Sequence, residues 1–184
     1  MAGYTRPWFV SGGWAIDLFV GRVTRDHEDV EVGAFLCDQH ELRAHLAGWS
    51  LHRIRNDAWE PWAEGDEIEL PEFQAQARSK ADPLGQFDIF FNPLDGTDWL
   101  SRRHEGLRVP ARDVAQLSAG RDREPPGIPY LAPEIQLLYK AKYHRPKDDQ
   151  DFDVALPLLE ARRRTWLAET LAKFHPGDPW LTRL

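Results

Sequence analysis

Apolar and polar positions change period several times along the chain, and each change marks an element. A short apolar run at residues 7–10 ends in Ser11-Gly12-Gly13, and Trp14, Ala15, Ile16, Leu18 and Phe19 follow at helical spacing. The start therefore reads as strand, tight turn, helix, with Gly21 placed where a C-cap needs a left-handed residue. Val30, Val32, Ala34 and Phe35 set against Asp29, Glu31 and Gly33 predict a second strand over about 28–35. Leu42 and Leu46 among charged neighbours predict a helix over 39–47, stopped by Gly48. Beyond it 50–55 alternates, 59–62 is aromatic, Ile68 and Leu70 alternate with acids, and 87–91 is intensely apolar. Three or four strands are expected in that middle stretch.

From about 109 to 129 the composition turns to Arg, Asp, Gly and Pro with few large apolar residues, as in an exposed connector. The helical period then returns. Pro133 suits a first helical turn, Glu134 complements its dipole, and Ile135, Leu138 and Tyr139 form an apolar stripe to about residue 143. Residues 148–156 and 159–174 predict two more helices, broken near Pro157. The patterns add up to an α+β fold: a mixed β-sheet flanked by helices over residues 1–108, a connector at 109–129, and a small α-helical subdomain at 130–184.

Composition narrows the function classes. The chain is 42% hydrophobic and 29% charged, with 8 Trp, 9 Phe and 4 Tyr, which excludes disorder as the main state. No window approaches 18 consecutive apolar residues and the first six lack an apolar signal region, so a membrane span and a signal peptide are not expected and the cytoplasm is the default address. Cys37 is the single cysteine, which removes internal disulfides and cysteine-based metal sites; it reads as a small buried hydrophobe. Acids outnumber bases by 30 to 23 for a net charge of -7, which argues against nucleic acid as a partner and suits a cationic one.

The candidate chemistry lies mostly near the start. At Ser11-Gly12-Gly13, between a strand and a helix N-terminus, backbone N–H groups and bare glycines allow a phosphate to approach, although such turns also want glycines for packing alone. Asp29 and Glu31 occupy alternate strand positions and share a face, either as a solvated surface or as a cation site. Asp88 interrupts the apolar run Phe87-Asp88-Ile89-Phe90-Phe91, where a lone carboxylate would be costly to bury, so it needs a partner. Three carboxylates on neighbouring strands beside a glycine turn are a usual way to hold Mg²⁺, because hard cations take oxygen ligands.

Gly12-Gly13-Trp14-Ala15-Ile16-Asp17, then Gly21-Arg22-Val23-Thr24-Arg25, His27 and Asp29-Val30-Glu31, closely resemble the signature of the aminoglycoside and lincosamide nucleotidyltransferases, of the 2''-O-adenylyltransferase type in the polymerase-beta-like superfamily. The resemblance is concentrated in residues 8–35 and continues at Asp88, Pro129-Tyr130-Leu131-Ala132-Pro133-Glu134, Lys140-Ala141-Lys142 and Arg145-Pro146-Lys147-Asp148. It implies a nucleotidyltransferase-type sheet, Ser11 and Gly12 holding a triphosphate, Asp29 and Glu31 binding Mg²⁺, and Asp88 as third ligand or general base. It also implies two Mg²⁺ ions, an NTP co-substrate, expected to be ATP, and a small hydroxyl-bearing, cationic acceptor. Glu31 departs from the family, which has aspartate there, and the longer side chain alters the metal geometry. Relatives also carry a helix ahead of the first strand, where this chain has seven residues before Trp8.

Lys140 and Lys147 are the candidates for a nucleotide-phosphate contact, Lys140 because it follows Leu138-Tyr139 and is expected at the edge of the buried stripe; a solvated helix surface is the alternative. Asp148 and Asp151 are expected to cap or pair within the helices. Glu60, Glu64, Asp66, Glu67, Glu69 and Glu72 form a run free of Lys and Arg, either a solvated hairpin or an attractor for a polycation. Trp59, Trp62 and Trp99 could wall a sugar ring or fill the core, and His27 could support the carboxylates or pack. Two rivals to the transferase reading stay open: a weak or inactive nucleotide-binding module of the same fold, and a protein-modifying nucleotidyltransferase of a toxin–antitoxin system.

Overall fold

The computed structural model describes residues 1–118 and 127–184. In chain order its main elements are β1 (Trp8–Ser11), α1 (Gly12–Val20), β2 (Glu31–Phe35), α2 (Gln39–His45), β3 (Ser50–Arg55), β4 (Ala58–Pro61), β5 (Gln74–Arg78) and β6 (Gln86–Asn92). They continue with β7 (Leu94–Asp95), β8 (Asp98–Leu100), β9 (Arg108–Pro110), α3 (Ala111–Val114), β10 (Ala115–Leu117), β11 (Pro129–Leu131), α4 (Pro133–Lys140), α5 (Pro146–Ala155) and α6 (Ala161–Phe174). The chain forms two compact units, residues 1–10 with 28–112, and residues 11–27 with 113–184. The strands expected at 7–10, 28–35, 50–55, 59–62 and 87–91 and the helices expected at 39–47 and in the last third all form. Part of the expected connector, 119–126, lies outside the described residues; its flanks form β9, α3, β10 and β11.

The first unit is built on a mixed sheet in which the strands run β1-β2-β6-β5-β3-β4, and a small sheet β7-β8-β9 stands beside it in sequence. β2 and β6 are parallel, β5 is antiparallel to both β6 and β3, and β3 and β4 make a hairpin. One face is apolar because every second residue is: Val32 and Ala34, Phe87, Ile89 and Phe91, Ala75 and Ala77 gather there with Leu42 and Leu46 of α2, Trp62 and Ile68. Burying each large side chain in that layer contributes roughly 1.5–3 kcal/mol. The intervening residues, Glu31, Gly33, Asp88 and Gln76 among them, belong to the opposite face. There Phe9 lies over Gly33 so closely that an added Cβ would sit 2.1 Å from its ring.

Two expectations for the middle of this unit are corrected. Ile68 and Leu70 form no strand; Ile68 is 3% exposed in a loop whose backbone is satisfied by one side chain, the Ile68 N–H donating to Gln39 Oε1 (2.7 Å) and Gln39 Nε2 donating to the Ile68 carbonyl (3.3 Å). The strand in its place is β5, which alternates alanine with Gln and Arg.

In the second unit α4 is the central helix. Its residues Ile135, Leu137, Leu138 and Tyr139 are buried, and α1, α5 and α6 pack against it, with Ala15, Ile16, Phe152, Ala155, Leu167 and Leu171 of those helices also buried. Pro133 opens α4 and Pro146 opens α5, both in the first turn, where the missing N–H costs nothing. Gly21 closes α1 at φ 81°, its N–H donating to the Asp17 carbonyl. β10 and β11 pair antiparallel ahead of α4.

Candidate active site

Parallel pairing sets Glu31 of β2 directly against Asp88 of β6, on the face opposite the apolar layer, and the Asp88 N–H donates to the Val30 carbonyl at 2.9 Å. On the other side of Asp88 the register brings Gln76 of β5. Gln76 Nε2 donates to Asp88 Oδ1 at 2.7 Å, and Gln76 Oε1 accepts from Arg78 Nε at 2.5 Å. Burial pushes the Asp88 carboxyl above the usual range and the charge of Asp29 adds to the push, while the Gln76 hydrogen bond and Arg78 oppose it. Asp29 lies two residues ahead of Glu31, just before β2 begins.

The three acids expected to converge lie near one another without closing into one group. Among the described residues no three His, Cys, Asp or Glu side chains close into a group that could hold a metal ion. Glu31 and Asp88 share a register position, Asp29 reaches Asp88 through its field, and one Asp88 oxygen is taken by Gln76. The donor chemistry still fits a hard divalent cation, since the set is carboxylate oxygen throughout and the Asp29–Asp88 repulsion is what such an ion would relieve.

Ser11, Gly12 and Gly13 form the turn into α1, where Gly12 takes φ 71°. The Gly12 N–H donates to Gln136 Oε1 of α4 at 2.8 Å, so the donor that sequence reasoning offers to a phosphate is already engaged by a buried amide. Gly13 is bare for a packing reason: a Cβ there would sit 2.3 Å from Arg25 Nη2 and 2.4 Å from His27 Nδ1. Arg25 is locked by two bonds to Asp151, Nε to Oδ1 at 2.8 Å and Nη2 to Oδ2 at 2.9 Å. His27 stacks on Trp14 with ring centroids 4.4 Å apart, and its Nε2 lies 2.5 Å from Asp17 Oδ2. The other Asp17 oxygen accepts from the Thr24 N–H and hydroxyl. His27 thus laces residues 21–27 to α1, its carboxylate partner being Asp17.

Lys140 does not emerge at the edge of the stripe. Its side chain is 5% exposed, with Nζ 2.7 Å from Asp151 Oδ2 and 3.3 Å from Asp148 Oδ1, because α4 is covered on every side. Asp148 caps α5, accepting from the Arg145 N–H and guanidinium; burial pushes its carboxyl up, yet Arg145 and Lys140 prevail and hold it below the usual range. Asp151 pairs with Lys140 of α4 and, beyond the helices where its partner was expected, with Arg25. Lys147 is half-buried in the first turn of α5.

Several acids of the 60–72 run have local partners: Glu60 and Asp66 flank Arg53 at 2.9 and 3.4 Å, and Glu72 Oε1 accepts from the Asn56 N–H at 2.6 Å. Trp62 and Trp99 are buried, whereas Trp59 is 43% exposed. Cys37 is exposed rather than buried, since it falls in the 3₁₀ turn between β2 and α2. Gln76, Arg78, Gln136, Asp17 and Arg25 are the organising residues that sequence reasoning missed; of these Asp17 alone gave a signal, as a carboxylate on the apolar side of α1.

Residues 2–60 match the family model of the aminoglycoside-2''-adenylyltransferases. No curated protein sequence matches the chain. Among solved structures, the lincosamide antibiotic adenylyltransferase LnuA in its lincomycin-bound form is similar at TM-score 0.56 and 18% identity, over 83% of this chain and 87% of that one. The antibiotic-resistance factor ANT(2'')-Ia is similar in its solution structure at TM-score 0.54 and 17% identity, over 91% of this chain and 82% of that one. Its crystal structure with adenylyl-2''-tobramycin gives TM-score 0.54 and 15% identity, over 91% and 88%. At these identities the likeness establishes the fold. The first third of the chain thus resembles the aminoglycoside-2''-adenylyltransferases, and the chain shares the fold of these solved adenylyltransferase structures.

Proposed function

We propose that this protein transfers a nucleoside monophosphate from an NTP, ATP in the first instance, to a hydroxyl of an aminoglycoside- or lincosamide-like small molecule in a Mg²⁺-dependent reaction. The observation that carries the reading is the register of β2 and β6, with Glu31 opposite Asp88 on one face and Asp29 two residues upstream. Asp29 and Glu31 are assigned the metal, with Asp88 as third ligand or as the base that takes the proton of the attacking hydroxyl. The raised proton affinity of Asp88 suits a base. Bound Mg²⁺ would neutralise charge on the transferred phosphoryl group and the leaving pyrophosphate. Ser11, Gly12 and Gly13 are assigned the triphosphate, with Gln136 setting the Gly12 peptide. Of the two lysines considered, Lys147 keeps the phosphate role and Lys140 organises α5.

The test is pyrophosphate release, with each of the four triphosphates, against aminoglycosides, lincosamides and unrelated polyols, with and without Mg²⁺. Asp29→Asn removes a ligand charge without changing shape and should abolish turnover with the fold intact. An active Asp29→Asn enzyme would remove the metal role. ATP-dependent thermal stabilisation with no pyrophosphate release on any acceptor would instead identify a nucleotide-binding module.

A further inference from the structure

We infer that Gln76, oriented by Arg78, is a positioning residue that fixes the Asp88 carboxylate; the inference rests on the assignment of Asp88 proposed above. An aspartate's terminal torsion is broad and nearly two-fold, so an unrestrained carboxylate interchanges its oxygens and its plane wanders. Gln76 removes that freedom by donating to Oδ1 from the next strand, in register, from a side chain only 6% exposed. Oδ2 is thereby the oxygen presented for proton or metal chemistry.

A glutamine amide could by itself turn either end toward Asp88, and its carbonyl end would repel the carboxylate. Arg78 settles the choice. A guanidinium only donates, so the atom facing Arg78 Nε must be the amide oxygen, which leaves the NH₂ for Asp88. The order Arg78 to Gln76 to Asp88 is thus a chain of hydrogen bonds with one polarity, two residues apart along β5 and one strand across to β6. Ala75 and Ala77 on either side of Gln76 serve the apolar face, so the core does not require an amide at this position.

Steady-state kinetics of Gln76→Met, Arg78→Met, Arg78→Lys and the Gln76→Met/Arg78→Met double variant test the chain. Gln76→Met should lower kcat about 10–100-fold, the usual effect of losing a residue that orients a ligating or catalytic group. The nucleotide KM should stay within about twofold, because ground-state binding is untouched. Arg78→Met should lower kcat by less, Arg78→Lys should restore it, and the double variant should be no worse than Gln76→Met, since Arg78 acts through Gln76. Independently of activity, the Gln76 side-chain NH₂ resonances of the ligand-free protein should move in both Arg78→Met and Asp88→Asn. Wild-type kcat in Gln76→Met, additive losses in the double variant, or Gln76 resonances unmoved in Arg78→Met would each overturn the inference. If Gln76→Met does not fold, the resonances decide. Wild-type turnover in Asp88→Asn would sink the role of Asp88 itself, whereas an inactive Asp88→Asn beside a fully active Gln76→Met sinks the positioning role alone.

Discussion

Replacing Lys140 by Met separates two roles for one ammonium group. In the structure Lys140 Nζ lies between Asp148 and Asp151, both with fully buried carboxylates. Breaking a buried ion pair by removing one partner costs about 3–5 kcal/mol, because the charge left behind is uncompensated. Here the loss is softened: Asp151 keeps its two bonds to Arg25, and Asp148 keeps the Arg145 guanidinium and N–H. Methionine also refills most of the lysine stem's volume. We therefore expect a loss at or below the bottom of that range, about 2–3 kcal/mol. For a chain of this size that corresponds to a fall in Tm of about 4–12 °C. Calorimetry or circular dichroism melting measures the loss, and nucleotide KM is measured well below the melting range. The expected outcome is a large stability loss with nucleotide KM unchanged. An unchanged Tm together with a KM raised about tenfold would refute the reasoning and return Lys140 to the phosphate site; a tenfold change is about 1.4 kcal/mol of lost contact.

Gly13→Ala should destabilise the protein by about 1–3 kcal/mol in chemical denaturation, since the new methyl must displace Arg25 or His27 from their fixed places; an unchanged midpoint would remove the packing role. Asp88→Asn should raise Tm at neutral pH while abolishing transfer, because it removes the repulsion with Asp29 and keeps an acceptor for Gln76; a lowered Tm would show that the charge is structurally required. His144 faces Asp149 with Nδ1 at 3.2 Å and Asp178 with Nε2 at 2.8 Å. Burial pulls its affinity for a proton down, yet the two carboxylates prevail and raise it. Its contribution is therefore full below the unfolded value of about 6.5 and is lost as pH rises through the folded-state value. Tm of the wild type relative to His144→Gln should decline across that window, and parallel curves would dismiss the effect.

The parts of the fold that could be read in the chain are those with contrast between neighbours. Val32 and Ala34 against Glu31 and Gly33 announced β2, and one acid inside Phe87-Asp88-Ile89-Phe90-Phe91 announced both β6 and its exceptional residue. β5 gave no such signal, because its inward residues are alanines and its outward ones are amides and an arginine. Ile68 looked like a strand residue because it is apolar among acids, but Gln39 supplies its backbone partners from 29 residues away. Still greater separations in sequence hid the organisation around the glycine turn. Gln136 reaches Gly12 across 124 residues and Arg25 reaches Asp151 across 126, and neither pair leaves a periodic trace. Lys140 was misplaced because a stripe on one side of a helix predicts one covered face, whereas α4 is enclosed all round.

The second unit draws on two stretches of chain, 11–27 and 113–184, separated by most of the first. During synthesis α1 leaves the ribosome long before its packing partners α4 and α5 exist, so Ala15 and Ile16 must wait in water and the Gly12 amide lacks its glutamine until residue 136 has been made. A nascent or prematurely terminated chain ending within 109–129 would keep those groups exposed, making it a substrate for chaperones and proteases and depriving the glycine turn of its final shape.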